Sequence, residues 1–159
     1  MVEQRSMAQS RPGRCFWGAA VACAAMAGAL LSVGESGAQS APRVNGGINT
    51  LVFNAVSGKL ATGMVVELFE VKGAALRKLS EATLDVEGRA DMMTGQPLAI
   101  GGYELRFHVA DYFHKQGVAV GDPPFIDYVP VRFSVDTPNG HYHVPLACSP
   151  WSFSTYRGS

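Results

Sequence analysis

From residue 47 onward, apolar and polar positions alternate in short runs, each ended by turn residues. Asn49 to Ala55 reads as a strand stopped by Ser57-Gly58. Gly63 to Val71 sets Met64, Val66 and Leu68 against Val65, Glu67 and Phe69, and Lys72-Gly73 then turns the chain. Ala75 to Val86 fits one strand or two before Glu87-Gly88. Tyr103, Leu105, Phe107 and Val109 form one period-two row, and Val129, Val131, Phe133 and Val135 form another. Tyr142 to Cys148 and Phe153 to Tyr156 follow, joined by a Ser149-Pro150 turn. A strand points successive side chains to opposite faces, so each such row is one face of a sheet. Seven or eight short strands at this spacing predict an all-β antiparallel sandwich. One short helix is expected at Ala110 to Gln116, with Asp111 placed to cap it and Gly117 to stop it.

The first part of the chain follows a different pattern. Arg5, Arg11 and Arg14 precede an uncharged run from Cys15 to Gly34, and small residues at Ser36-Gly37-Ala38 close it. Positive start, apolar middle and small-residue exit are the parts of a secretory signal peptide. The run is nearly long enough to span a bilayer, but its many Ala and Gly residues make it weakly hydrophobic, which favours cleavage over anchoring. The expected organisation is therefore a signal peptide over 1–38, a flexible lead-in over 39–46 and one domain over 47–159. Export with no remaining membrane segment places the mature protein in a periplasm.

Charge and cysteine content narrow the picture further. Residues 39–159 hold 10 basic and 11 acidic side chains, so no basic footprint for nucleic acid exists. Cys15 and Cys23 fall in the signal, leaving Cys148 alone. A single cysteine makes no intrachain disulfide, so an exported domain of this size rests on its core or on association of subunits.

Candidate chemistry is sparse. In His141-Tyr142-His143, residues two apart in a strand share a face, so both imidazoles present to one surface. Imidazole near neutral pH transfers protons or binds metal, yet no third ligand follows at a metal-like spacing. From spacing alone, exposed strand histidines are the plainer reading. Glu87-Gly88-Arg89 puts a guanidinium just after a turn, where its forked donors suit planar anions or imide-like carbonyls. Tyr156-Arg157-Gly158-Ser159 would ordinarily be a frayed tail, but it follows a strand without a linker. No phosphate loop, Cys-x-x-Cys pair or nucleophile elbow is present. These residues alone do not specify a reaction.

The closing run His141-Tyr-His-Val-Pro-Leu-Ala-Cys-Ser-Pro-Trp-Ser-Phe-Ser-Thr-Tyr-Arg-Gly-Ser159 closely resembles the C-terminal signature of the hydroxyisourate hydrolases, within the transthyretin-like family. Ser57-Gly58-Lys59, Glu87-Gly88-Arg89, Tyr103-Glu-Leu-Arg-Phe107, Tyr112-Phe113 and Pro124-Phe125 extend the similarity upstream in family order, from about residue 48 to the end. The resemblance implies a transthyretin-like two-sheet sandwich with one short helix, assembled as a homotetramer (a dimer of dimers). It implies sites in the channel between dimers, no metal or cofactor, a urate-derived small-molecule substrate, and hydrolytic opening of its ring at an amide carbonyl. Carried over residue by residue, His143, Arg89 and Ser159 are the catalytic candidates. Tyr156, Arg157, His141 and Leu51 are the substrate-binding candidates.

One departure stands out. The family's Thr-His-Val-Leu-Asp run is Thr50-Leu51-Val52-Phe53-Asn54 here, so Leu51 replaces an imidazole and Asn54 an acid, and Leu60 stands where proline is usual. Leucine moves no proton, and loss of an acid–base group costs roughly 10²–10⁴ in rate. Two functions are consistent with this: a hydrolase with altered water-activating residues, or a non-catalytic protein binding a small planar ligand in the channel.

Overall fold

The computed structural model describes residues 46–158. The expected signal peptide, all but the last residue of the lead-in, and Ser159 lie outside the described residues. The alternation of the sequence becomes two facing sheets. One is a four-stranded sheet in the order β4 (Ala75–Thr83), β3 (Val65–Lys72), β6 (Gly101–Phe107), β7 (Val129–Val135), antiparallel throughout. The other is built around β1 (Gly47–Asn54), which pairs with β2 (Lys59–Leu60), β5 (Arg89–Thr94), β8 (His141–His143) and β9 (Leu146–Cys148); β10 (Phe153–Thr155) adds to β9. The core lies between the sheets, where Ile48, Val52, Val66, Leu68, Leu105, Phe107, Val129 and Leu146 are buried. Val66, Leu68, Leu105, Phe107 and Val129 are residues that the period-two rows assign to one face; Ile48, Val52 and Leu146 join them from strands whose faces the rows did not assign.

Three details differ from the expectation. Among the described residues the β segments number ten, because a two-residue β2 forms and because Val144-Pro145 breaks the Tyr142–Cys148 run into β8 and β9. Proline has no N–H to give a ladder, so the strand pairing is interrupted at Pro145 while the register with β1 continues. The sandwich is not purely antiparallel, since β1 runs parallel to both β8 and β9. The strand beginning at Arg89 was hidden by its mixed composition, and Ala75–Thr83 is one strand rather than two.

The one helix among the described residues, α1 (Val109–Lys115), packs Val109, Ala110, Tyr112 and Phe113 against the core. Asp111 does not cap it. His108 occupies the N-cap position without a side-chain capping bond, and Asp111 sits third in the helix, 3.7 Å from His108 Nδ1. A carboxylate in the first turn still faces the positive end of the helix dipole. Gln116 is the C-cap, and Gly117 follows at φ +73°, the left-handed turn at which glycine ends a helix at little cost.

Asn54 has a structural role at this end. Its Oδ1 accepts from the backbone N–H of Val56 (2.9 Å) and Ser57 (3.1 Å), and its Nδ2 donates to Tyr112 Oη at 3.1 Å. The amide thus shapes the β1–β2 turn and ties it to α1. Asn54 is buried on the inner side of β1, away from the face that carries His143.

Candidate functional site

The outward face of the β1 sheet holds a polar cavity of about 390 Å³ lined by Asn49, Arg89, His141, His143, Tyr156 and Gly158. That volume is within the roughly 300–1,000 Å³ of small-molecule sites. Each wall has a local cause. In β8 the burial pattern is exposed, buried, half-buried, so Tyr142 enters the core while His141 and His143 face out together. Tyr142 is fastened there by its hydroxyl, which donates to Asp136 Oδ1 and accepts from the Asp136 and Thr137 N–H groups. Two bonds lock β8 to β1: Thr50 Oγ1 donates to the Val144 carbonyl (2.7 Å), and the Val144 N–H donates to the Asn49 carbonyl (3.0 Å).

Arg89 is delivered by the turn before it. Asp85 Oδ1 accepts from the N–H of Glu87 (2.8 Å) and of Arg89 (2.9 Å), and Gly88 sits at φ +64°. A Cβ on Gly88 would meet Leu60 Cβ at 2.9 Å and the Val52 carbonyl at 3.0 Å. Glycine is therefore required there for both conformation and space. The Arg89 side chain is largely exposed, with Nε 3.9 Å from Glu87 Oε2, and it keeps most of its donors for a ligand.

The C-terminal tail is part of the fold. The Gly158 N–H donates to the His143 carbonyl at 2.9 Å, forming an isolated bridge. A Cβ on Gly158 would stand 2.2 Å from His143 Cδ2, so the tail lies flat against the imidazole only because it has no side chain at that point. Arg157 is turned elsewhere: its guanidinium lies 5.4 Å from the Tyr142 ring centroid. It borders an adjoining, mostly apolar hollow shared with Val131, Phe133, His143 and Tyr156.

The electrostatics favour a neutral base. Burial, then the Arg89 charge, then His141 hold the His143 pKa below its ordinary value, because each disfavours a second positive charge. Asn49 Oδ1 lies 2.6 Å from His143 Nδ1, and Asn49 Nδ2 lies 3.1 Å from His141 Nε2. Among the described residues no group of three or more His, Cys, Asp or Glu gathers as a metal site would need. Cys148 is buried and its thiol is pushed up to about 12, so it is no nucleophile.

Of the residues expected from sequence, the fold brings Arg89, His141, His143 and Tyr156 to one cavity. Leu51 shares their face, half-buried and in register with Arg89 across β5, but it flanks the cavity instead of lining it. Arg157 points away, and Ser159 is outside the described residues. Sequence reasoning missed Asn49 and Gly158. Asn49 was legible in principle, since strand periodicity places it on the face of Leu51, two residues away.

A family model described as the HIUase/Transthyretin family matches residues 48–158. The 5-hydroxyisourate hydrolase of Deinococcus radiodurans is 49% identical over 115 residues, covering 71% of this chain and 96% of its own length. Among solved structures, (S)-allantoin synthase superposes with a TM-score of 0.66 at 35% identity, over 72% of this chain and 44% of that one. The 5-hydroxyisourate hydrolase of Klebsiella pneumoniae superposes with a TM-score of 0.61 at 24% identity, over 72% of this chain and all of that one, a likeness of fold.

Proposed function

The chain belongs to the HIUase/Transthyretin family, and on that footing we propose that it is a hydrolase opening the ring of 5-hydroxyisourate in purine breakdown. The single observation that supports this most is the juxtaposition of His143, whose pKa burial and the Arg89 charge hold down, with the Arg89 cation in one cavity of suitable size. His143 Nε2 takes a proton from water as the water oxygen bonds to the amide carbonyl carbon. Arg89 binds the urate-like edge and stabilises the negative charge that develops on the carbonyl oxygen. The carbon–nitrogen bond then breaks, and the proton held on His143 passes to the departing nitrogen. Tyr156 lines the cavity, and its ring offers a flat apolar surface to a planar substrate. No step needs a metal or cofactor.

Three further features belong to this proposal. Residues 1–38 are a signal peptide, and the mature protein works in the periplasm, as the basic start, apolar run and small-residue exit support. The functional particle is a homotetramer. The exposure of Phe53 (39%), Trp151 (58%) and Phe153 (49%) on a small exported domain with no disulfide supports burial between subunits. Ser159, outside the described residues, stays a catalytic candidate on the family resemblance alone.

A second reading, a non-catalytic protein holding a planar ligand, is favoured by one observation: an apolar Leu51 beside the cavity. One assay separates the two. Hydroxyisourate generated in place from urate by urate oxidase is followed by absorbance with and without residues 39–159. Decay well above the spontaneous rate, lost on His143→Ala, is the expected result. Decay equal to the blank would overturn the hydrolase and leave ligand binding.

A further inference from the structure

Where the resembling hydrolases carry a first-strand histidine this chain has Leu51, so His143 has no imidazole neighbour at that position. The candidate for orienting His143 lies two residues earlier on the same face. Asn49 reaches both histidines of β8, Oδ1 to His143 Nδ1 at 2.6 Å and Nδ2 to His141 Nε2 at 3.1 Å. An amide oxygen only accepts hydrogen bonds and an amide nitrogen only donates them. With the amide in this orientation, His143 carries its proton on Nδ1, which leaves the Nε2 lone pair free. His141 accepts from the amide and keeps it turned this way. The β1–β8 locks at Thr50 and Val144 hold the amide between the two rings.

We infer that Asn49 is a positioning residue for the reaction, holding His143 in the Nδ1–H tautomer so that Nε2 takes the proton from water. The inference rests on the hydrolase reading above. The chemistry favours the observed amide orientation in both protonation states. When Nε2 gains its proton, His143 becomes an imidazolium that still donates from Nδ1 to the same oxygen. That bond strengthens as charge appears and nothing has to rotate. In the reverse orientation an N–H would face an N–H at that moment. Tautomer control by a hydrogen bond to the non-reacting nitrogen is a general way of setting which imidazole nitrogen acts.

The test combines a spectroscopic and a kinetic reading on the mature chain. With ¹⁵N-labelled histidine, the His143 Nδ1 signal is expected to be protonated and Nε2 unprotonated above the acid limb. In Asn49→Ala the population shifts toward Nε2–H, the form free imidazole prefers. The kcat of that variant falls about 10–100-fold with KM changed less than about twofold, a positioning loss within the range of acid–base effects. Asn49→Asp keeps an acceptor for Nδ1–H and regains most of the rate. Its added carboxylate stabilises the imidazolium, so its acid limb moves to higher pH. The charged and titratable groups around His143 and the substituted position in that comparison are Arg89 and Asp91 on β5, His141 on β8, and Tyr156 and Arg157 on the tail. A wild-type His143 protonated on Nε2, or an Asn49→Ala variant with unchanged kcat and tautomer, overturns the inference even if the enzyme turns over. A wild type with Nδ1–H but no turnover overturns the hydrolase reading and upholds the tautomer assignment.

Discussion

His143 sits where a proton is least welcome: half-buried, beside the Arg89 guanidinium and a second imidazole. Its folded pKa lies below that of the unfolded chain, so the folded protein binds fewer protons in the window between them. The site's contribution to stability is therefore complete above about pH 6.5 and is lost as pH falls toward the folded value. Activity follows the same group. The acid limb of kcat/KM should lie below the ordinary imidazole range, and a limb at or above pH 6.5 would contradict a neutral base held down by Arg89. His143→Ala and Arg89→Ala should each lower kcat/KM by about 10²–10⁴-fold while the circular dichroism spectrum stays native. Retention of wild-type rate by both would remove these residues from the site. Leu51 lies in register with Arg89 on the same face, so Leu51→His adds an imidazole next to the cavity and should raise kcat.

Two glycines show how elements, rather than side chains, place the chemistry. Gly88 lets the Asp85–Arg89 turn close against β1, and any Cβ there meets Leu60 and the Val52 carbonyl while forcing a left-handed backbone on an L-residue. Gly88→Ala should destabilise the domain by about 1–3 kcal/mol, read from the urea midpoint, the usual scale of local backbone strain. Gly158 acts on the site itself. Gly158→Ala puts a methyl into His143, so either the tail lifts or the imidazole turns. Activity should fall about tenfold or more with little change in the urea midpoint, because the bridge joins two half-buried residues and no core residue. Equal losses in both measurements would mean that the tail is structural.

At the scale of the whole molecule, the β1 sheet presents a cavity open to solvent beside exposed aromatic residues. A single domain of this kind leaves its chemistry wet, and association of subunits would exclude water and strengthen the Arg89 field. The protein should elute as a species larger than a monomer at micromolar concentration, and Phe53→Glu should shift it toward smaller species. A monomeric wild type with full activity would show that the cavity works without a partner.

The sandwich was legible because burial follows a period of two: Val66, Leu68, Leu105 and Phe107 fall on the inner face whatever the topology. The pairing of His141 with His143 on one surface follows from the same rule. The turn glycines and the polar ending were visible as residue types with a reason to be there. Alternation says nothing about which strand lies beside which, so the parallel register of β1 with β8 and β9 was a tertiary outcome. That register brings Asn49, forty residues from Arg89 and 94 from His143, into the space between two imidazoles. It also sends Arg157 to the Tyr142 ring and leaves Leu51 at the cavity's flank. The sequence determined which side chains face out; only the packing of non-local strands, whose order no local pattern encodes, decided which of them meet.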